Sequence, residues 1–260
     1  MRWFRHAPGA RPLVLVHGFT GATSSWASVG DALAGAETVV AVPLPGHDPA
    51  VAVVPGFEAN TDRLAGAIDA AGLAGCHLVG YSLGGRTALS MAVRHPRLFA
   101  ALTLIGANPG IVDAAARRAR VEDDQAWIDL LLQRGLGAFL DAWQALPLFT
   151  TQARLPATVQ AEQRRQREQH DPTALARSLQ HMGLGAMPDY WGALATLPMP
   201  VSWLAGALDS KYAALAREGA ERMRAAGRVA RFATIPNSGH NPVLEQPAAL
   251  AAALSVPVTD

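Results

Sequence analysis

Gly80-Tyr81-Ser82-Leu83-Gly84 constrains this chain more than any other stretch, because it sets a serine between two glycines directly after the strand-like run Cys76-His77-Leu78-Val79. A strand that turns sharply into a helix forces the corner residue into crowded backbone angles, and flanking residues without side chains relieve that crowding. The pattern reads as a nucleophile elbow, with the Ser82 hydroxyl exposed at the mouth of the following helix. The backbone N–H of Leu83 points at the same space, where it can meet a developing negative oxygen.

The chain has 24 glycines, so the pentapeptide carries weight only through its context. Upstream, the apolar run Pro12-Leu13-Val14-Leu15-Val16 ends in His17-Gly18-Phe19-Thr20-Gly21, the loop expected to supply a second oxyanion donor, the N–H of Phe19. Downstream, Asp209 follows the run Val201-Ser202-Trp203-Leu204-Ala205-Gly206, and His240 lies in Pro236-Asn237-Ser238-Gly239-His240-Asn241 after the strand-like Val229 to Ile235. Taken singly, these three are a turn serine, a helix-capping aspartate and a loop histidine. Together, at three strand ends and in the order Ser82, Asp209, His240, they have the arrangement of α/β-hydrolases. The chemistry asks for all three. A serine hydroxyl is a poor base or nucleophile until an imidazole accepts its proton, and a carboxylate then fixes the imidazole tautomer and stabilises the imidazolium.

At 260 residues and 50% hydrophobic content the chain suits one large α/β domain. A formal net charge of +1 with 17% charged residues leaves no basic stripe, so nucleic acid is not an expected partner. The single Cys76 excludes an internal disulfide framework and reads as a small buried residue on a strand. His77, His95, His170 and His181 lack the paired spacing of a zinc site, and no metal is expected. The segment Met1 to His6 enters a strand without the apolar run of a signal peptide, and nothing approaches a membrane span. The expectation is a cytoplasmic protein with no membrane insertion. Monomer and homo-oligomer both stay open.

Short apolar strands at Leu13 to Val16, Thr38 to Val42, Cys76 to Gly80, Ala101 to Ile105, Val201 to Ala205 and Val229 to Ile235 alternate with helical patterns. The helices run from Glu58 to Ala71, Gly84 to Arg94, Lys211 to Ala225 and Gln246 to Leu254. This predicts a mostly parallel sheet flanked by helices. From 112 to 187 the alternation gives way to helical pattern, which predicts a helical cap inserted in a core formed by 1–111 and 188–260. The cap should close over the C-terminal edge of the strands, where ligands bind in open α/β sheets. Its Trp127, Phe139, Trp143 and Phe149 read most simply as packing residues.

The arginines narrow the chemistry. Arg86 falls four residues after Ser82 and should project on the same side of the helix one turn deeper, although a solvated surface arginine is the plainer alternative. Arg117, Arg118 and Arg120 lie at the cap entrance and Arg164, Arg165 and Arg167 in a later helix, which cannot aim all of them inward.

Beyond the elbow, the motifs are Val16-His17-Gly18-Phe19-Thr20-Gly21, Leu44-Pro45-Gly46-His47, Ser82-Leu83-Gly84-Gly85-Arg86, Asn108-Pro109-Gly110, Asp124-Gln125-Ala126-Trp127, Asp209-Ser210-Lys211-Tyr212 and Gly239-His240-Asn241. Over nearly its whole length the chain resembles the MenH family of menaquinone biosynthesis, the 2-succinyl-6-hydroxy-2,4-cyclohexadiene-1-carboxylate synthases. The resemblance implies an α/β-hydrolase fold and a lyase that eliminates pyruvate from the 5-enolpyruvyl precursor without a cofactor. It implies a triad of Ser82, Asp209 and His240, and a tricarboxylate substrate held by Arg86, Arg120 and Arg167 with Tyr81 and Trp143. Two departures bear on the pocket: Asp48-Pro49 follows His47 in place of a small Gly/Ser turn, and Gln144 follows Trp143 where some members carry an aromatic residue. A serine hydrolase working through an acyl-enzyme fits the residues as the alternative reaction, and a receptor that has given up catalysis is the alternative outside enzymes.

Overall fold

The computed structural model describes residues 1–5, 7, 9, 11–33 and 38–256. Their backbone builds one seven-stranded sheet in the order β1-β3-β2-β4-β5-β6-β7. The strands are β1 (Arg2–Arg5), β2 (Leu13–Val16), β3 (Val39–Val42), β4 (Cys76–Tyr81), β5 (Phe99–Ile105), β6 (Val201–Gly206) and β7 (Ala230–Ile235). Only β1 pairs antiparallel, so the expectation of a mostly parallel sheet holds.

Strands β2 and β3 are apolar at every position because both faces of the sheet are covered. The period of two sorts their side chains. Val14, Val16, Val40 and Val42 enter one core cluster, and Leu13, Leu15, Val39 and Ala41 enter the other. The first cluster is closed by α2 (Phe57–Ala70), α3 (Leu83–Arg94) and α7 (Ser210–Ala225), the second by α1 (Ala27–Ala32) and α9 (Pro247–Leu254). Helix α7 packs unusually close to the sheet: a Cβ on its Gly219 would stand 2.7 Å from the Trp203 ring.

Between β5 and β6 run α4 (Ala114–Gln144), a 3-10 segment at Pro147–Arg154, α5 (Ala157–Arg167) and α6 (Pro172–Met182). Asp113 and Asp171 cap α4 and α6 through Ala116 N–H and Ala174 N–H, and Pro172 supplies the first turn that needs no donor. Helix α4 is interrupted at Gly135, where φ is +80°. Ile128, Leu131, Phe139, Leu140, Leu175 and Leu179 form a separate small core for this segment.

The expected helix Gln246 to Leu254 is in fact preceded by a short α8 (Pro242–Glu245), with Gln246 as the break between them. Helix α1 escaped the sequence reading because Ala-Ser-Val-Gly-Asp-Ala has fewer than two turns and no capping side chain.

Three histidines are held as neutral rings, His17 and His47 buried and His77 half-buried. Burial pushes His17 and His77 down from 6.5 to about 4 and His47 well below its ordinary value. Their unfolded counterparts take up protons below pH 6.5 while the folded rings do not, so stability is lost as pH falls from about 6.5 toward 4. Urea melts at pH 7, 5.5 and 4.5 should show the unfolding free energy falling by several kcal/mol over that range, and His77→Gln should flatten the fall.

Candidate active site

The parallel strands deliver their C-terminal ends to one edge, and four of them, β2, β4, β6 and β7, lead into residues of the site. Ser82 follows β4 with φ +52° and ψ −111°, a strained conformation for a residue with a side chain. It is held there by its N–H, which donates to Ile105 O at 2.8 Å, and by its carbonyl, which accepts from Arg86 N at 3.0 Å. The flanking glycines serve space and not angle, since neither Gly80 nor Gly84 has a positive φ. A Cβ on Gly80 would lie 2.2 Å from Gly84 O, and one on Gly84 would lie 2.3 Å from Val16 O.

Asp209 lies beyond the end of β6 and divides its carboxylate between two tasks. Oδ1 accepts from Tyr212 N at 3.2 Å, capping α7, and Oδ2 accepts from His240 Nδ1 at 2.7 Å. Helix capping and imidazole orientation are therefore compatible in one side chain. With Nδ1 donating, His240 Nε2 is left as an acceptor, and it lies 3.1 Å from Ser82 Oγ. His240 and Asp209 are both buried. The Tyr212 ring packs 4.4 Å from the His240 ring, centroid to centroid.

The loop carrying His240 is tied down by Glu245, a residue the sequence reading missed. Its buried carboxylate accepts from Gly239 N at 2.7 Å and Asn241 N at 3.1 Å, one on each side of the histidine. The signal was present as Asn241-Pro242-Val243-Leu244-Glu245, a helix start whose acidic residue reaches back to the cap.

A cavity of about 800 Å³ opens over Ser82. Phe19, Tyr81, Ser82, Leu83, Arg86, Arg120, Trp143, Arg167 and His240 all line it, while Asp209 stands behind His240. Leu83 is the first residue of α3, so its N–H has no acceptor within the helix. Of the arginines singled out between 112 and 187, only Arg120 and Arg167 reach the cavity. Arg117 turns back to Ile111 O, Arg164 pairs with Asp141 and Glu168, Arg165 pairs with Glu162, and Arg118 is exposed. Trp143 stacks on Phe139 and meets Phe19 and Trp127 edge-on, so it packs and lines the cavity at once.

The three cavity arginines differ in their anchors. Arg86 donates from Nη1 to Met182 O at 3.2 Å and is not solvated at the surface. Its burial, and secondarily the nearby Arg120, lowers its pKa to about 10, which leaves it charged at neutral pH. Arg120 Nε donates to the buried Asp124 at 2.8 Å. Arg167 is only 6% exposed, has no carboxylate partner among the described residues, and keeps Nη1 without any hydrogen-bond partner. Burial lowers its pKa to about 10 as well. A buried guanidinium of this kind is costly unless an anion completes it.

Among the described residues no group of three histidine, cysteine or acidic side chains is arranged to hold a metal ion, and no helix is long and apolar enough to cross a membrane.

Residues 13–253 match the model of the alpha/beta hydrolase family, the class that this sheet and this serine corner define. The 2-succinyl-6-hydroxy-2,4-cyclohexadiene-1-carboxylate synthase of Enterobacter sp. (strain 638) is 35% identical over 249 residues, covering 95% of this chain and 92% of that one. The enzyme of that name from Escherichia coli (strain K12) is 33% identical over 253 residues, covering 95% and 94%. The solved structure of MenH from S. aureus superposes with a TM-score of 0.88 at 27% identity, covering 96% of this chain and 94% of that chain. The chain belongs to this MenH synthase family of enzymes.

Arg167 yields a prediction that runs against ordinary core mutagenesis. Replacing it with leucine removes an uncompensated buried charge, so Tm should rise, while protection of the fold by added tricarboxylate ligands such as citrate should be lost. Thermal melts with and without ligand measure both effects. A lower Tm would mean that the guanidinium is a structural tie.

Proposed function

We propose that this enzyme eliminates pyruvate from 2-succinyl-5-enolpyruvyl-6-hydroxy-3-cyclohexene-1-carboxylate, giving 2-succinyl-6-hydroxy-2,4-cyclohexadiene-1-carboxylate. The observation that carries the reading is the meeting of three arginines, one of them buried and unpartnered, in the cavity above the Ser82–His240–Asp209 chain. An ordinary ester needs no such cations. A substrate with three carboxylates does, and guanidinium groups match carboxylates as bidentate donors.

In this reading Ser82 acts as a base. Its proton passes to His240 Nε2, and the alkoxide takes the ring proton next to the succinyl ketone. The electron pair enters the ketone as an enolate, whose oxygen meets the N–H groups of Phe19 and Leu83. The enolate then collapses, shifts the ring double bond and expels the enolpyruvyl oxygen as the enolate of pyruvate, which takes up a proton to become pyruvate. His240 as imidazolium, stabilised by Asp209, is the natural store of that proton. Arg86, Arg120 and Arg167 bind the carboxylates, with Tyr81 and Trp143 shaping the apolar walls. Residues 112–187 serve as the cap that shields these charges from water, where pairing is strong. The chemistry calls on no metal or cofactor, the substrate is a small polycarboxylate, and the site of action is the cytoplasm.

Purified protein supplied with the enolpyruvyl substrate should release pyruvate, read by coupling to lactate dehydrogenase. Ser82→Ala should reduce the rate to near background. Turnover of aryl esters without pyruvate release would instead assign the site to acyl transfer. Arg86→Ala should raise KM and lower kcat/KM by the equivalent of about 2–3 kcal/mol, the loss of a charged hydrogen bond. Unchanged kcat/KM would remove Arg86 from the binding role.

A further inference from the structure

Three imidazoles surround the loop that carries Phe19, and the reaction proposed above uses none of them. His17 Nδ1 donates to Gly18 O at 2.8 Å, and its Nε2 accepts from Leu44 N at 3.2 Å. His47 Nδ1 donates to Pro45 O at 3.1 Å, and its Nε2 accepts from Thr20 N at 3.2 Å. His170 Nε2 donates to Thr20 O at 3.1 Å. Thr20 is thus held at both its amide and its carbonyl by rings from two separate parts of the chain. It needs holding: its φ is +59°, an unfavourable conformation for a β-branched residue that persists only where the surroundings over-determine it.

The strain has a use at the neighbouring residue. Gly21 N donates to Gly18 O at 3.0 Å, closing a turn with Phe19 and Thr20 at its two central positions. The Phe19 N–H has no acceptor within that turn. His170 belongs to the corner between α5 and α6, one turn beyond Arg167, and its own N–H donates to Arg167 O at 3.3 Å. One short corner therefore carries both an unpartnered anion-binding guanidinium and the donor that grips the oxyanion loop. The rings of His47 and His170 also meet edge-on at 5.4 Å, closing the seam between the two parts of the chain.

We infer that His170 is a positioning residue that fixes the Gly18–Gly21 turn, and with it the Phe19 N–H, to the corner that holds Arg167. The inference rests on the reading of Phe19 as an oxyanion donor. It also predicts a division of labour within the corner: Arg167 governs binding, and His170 governs the rate.

Three variants separate a donor effect from a packing effect. His170→Leu removes the donor, His170→Asn keeps a polar group too short to reach Thr20 O, and His170→Gln restores an amide N–H near the position of Nε2. Two readouts apply to each. Amide hydrogen exchange at Gly21, whose N–H shares a peptide group with Thr20 O and closes the turn on Gly18 O, is followed by NMR and reports the clasp whether or not any reaction occurs. Exchange should accelerate in the Leu and Asn variants and return close to the wild-type rate with Gln. In the pyruvate assay kcat should fall about tenfold for Leu and Asn, a fraction of the 10²–10³ lost when such a donor is removed outright. KM should stay within about twofold, with Gln recovering most of the rate.

Unchanged exchange in the Asn variant would overturn the clasp. Faster exchange with unaltered kcat would overturn the positioning role, as would a Gln variant as slow as Leu. If the wild-type protein released no pyruvate, the lyase reading would fail by itself. The exchange result would still decide the clasp, and the split between kcat and KM would be read on whichever ester the protein turns over.

Discussion

The contact that the rest of the site depends on is the one between two backbones at the serine corner. Gly84 lies so close to the end of β2 that a Cβ would meet Val16 O at 2.3 Å, and Gly80 is closed off by Gly84 in the same way. Because those atoms can approach, β4 turns into α3 within a single residue, and Ser82 is left projecting from the corner. The same approach brings the loop after β2 alongside the start of α3. Phe19 and Leu83 thereby line one cavity, although they lie 64 positions apart in the chain. Arg86 follows automatically, one helical turn further on.

A second constraint is electrostatic. Burial, and secondarily the nearby Arg120, lowers the affinity of Arg86 for its proton, and Arg167 sits nearly dry without a partner. A fold selected for stability alone would avoid this arrangement, because uncompensated buried charge costs several kcal/mol per ion. Asp124 offsets part of it at Arg120, and the Met182 carbonyl offsets part at Arg86. What remains uncompensated is a standing demand for anions. Sites of binding commonly retain such local conflicts, with the surrounding core supplying the stability they give up.

The sheet was legible in the sequence because its central strands are short apolar runs buried on both faces, and the order of Ser82, Asp209 and His240 was legible because each follows a strand. Arg86 was legible from helical spacing. The limits of legibility are equally physical. Arg120 and Arg167 stand out from their clusters of three arginines only through the family resemblance, since spacing alone does not say which guanidinium faces the cavity. His170 acts on a backbone carbonyl of another segment, which leaves no mark in the residue pattern, whereas Glu245 reaches back only to its own loop and is marked by the helix start at Asn241. His77 and His170 lack the spacing of metal ligands, and the structure uses them as hydrogen-bonding groups, one toward Thr103 and one toward Thr20.

Division of tasks follows from where rigidity is available. The sheet edge holds Ser82, His240 and Asp209 on elements packed from both sides, with errors limited by strand register and by the Glu245 clasp. The helical segment between β5 and β6 has its own small core, an interruption at Gly135, and two of the three cavity arginines. Its fit to the sheet edge relies on ring contacts of Phe139 and Trp143 with Phe19 and of Phe149 with His240, and on hydrogen-bonded ties. His170 on Thr20 and the Arg86 bond to Met182 O are two of them, and both end within a residue or two of groups proposed to touch substrate. On the reading proposed above, the Arg167 corner and the turn that carries Phe19 are joined through the hydrogen bonds of His170.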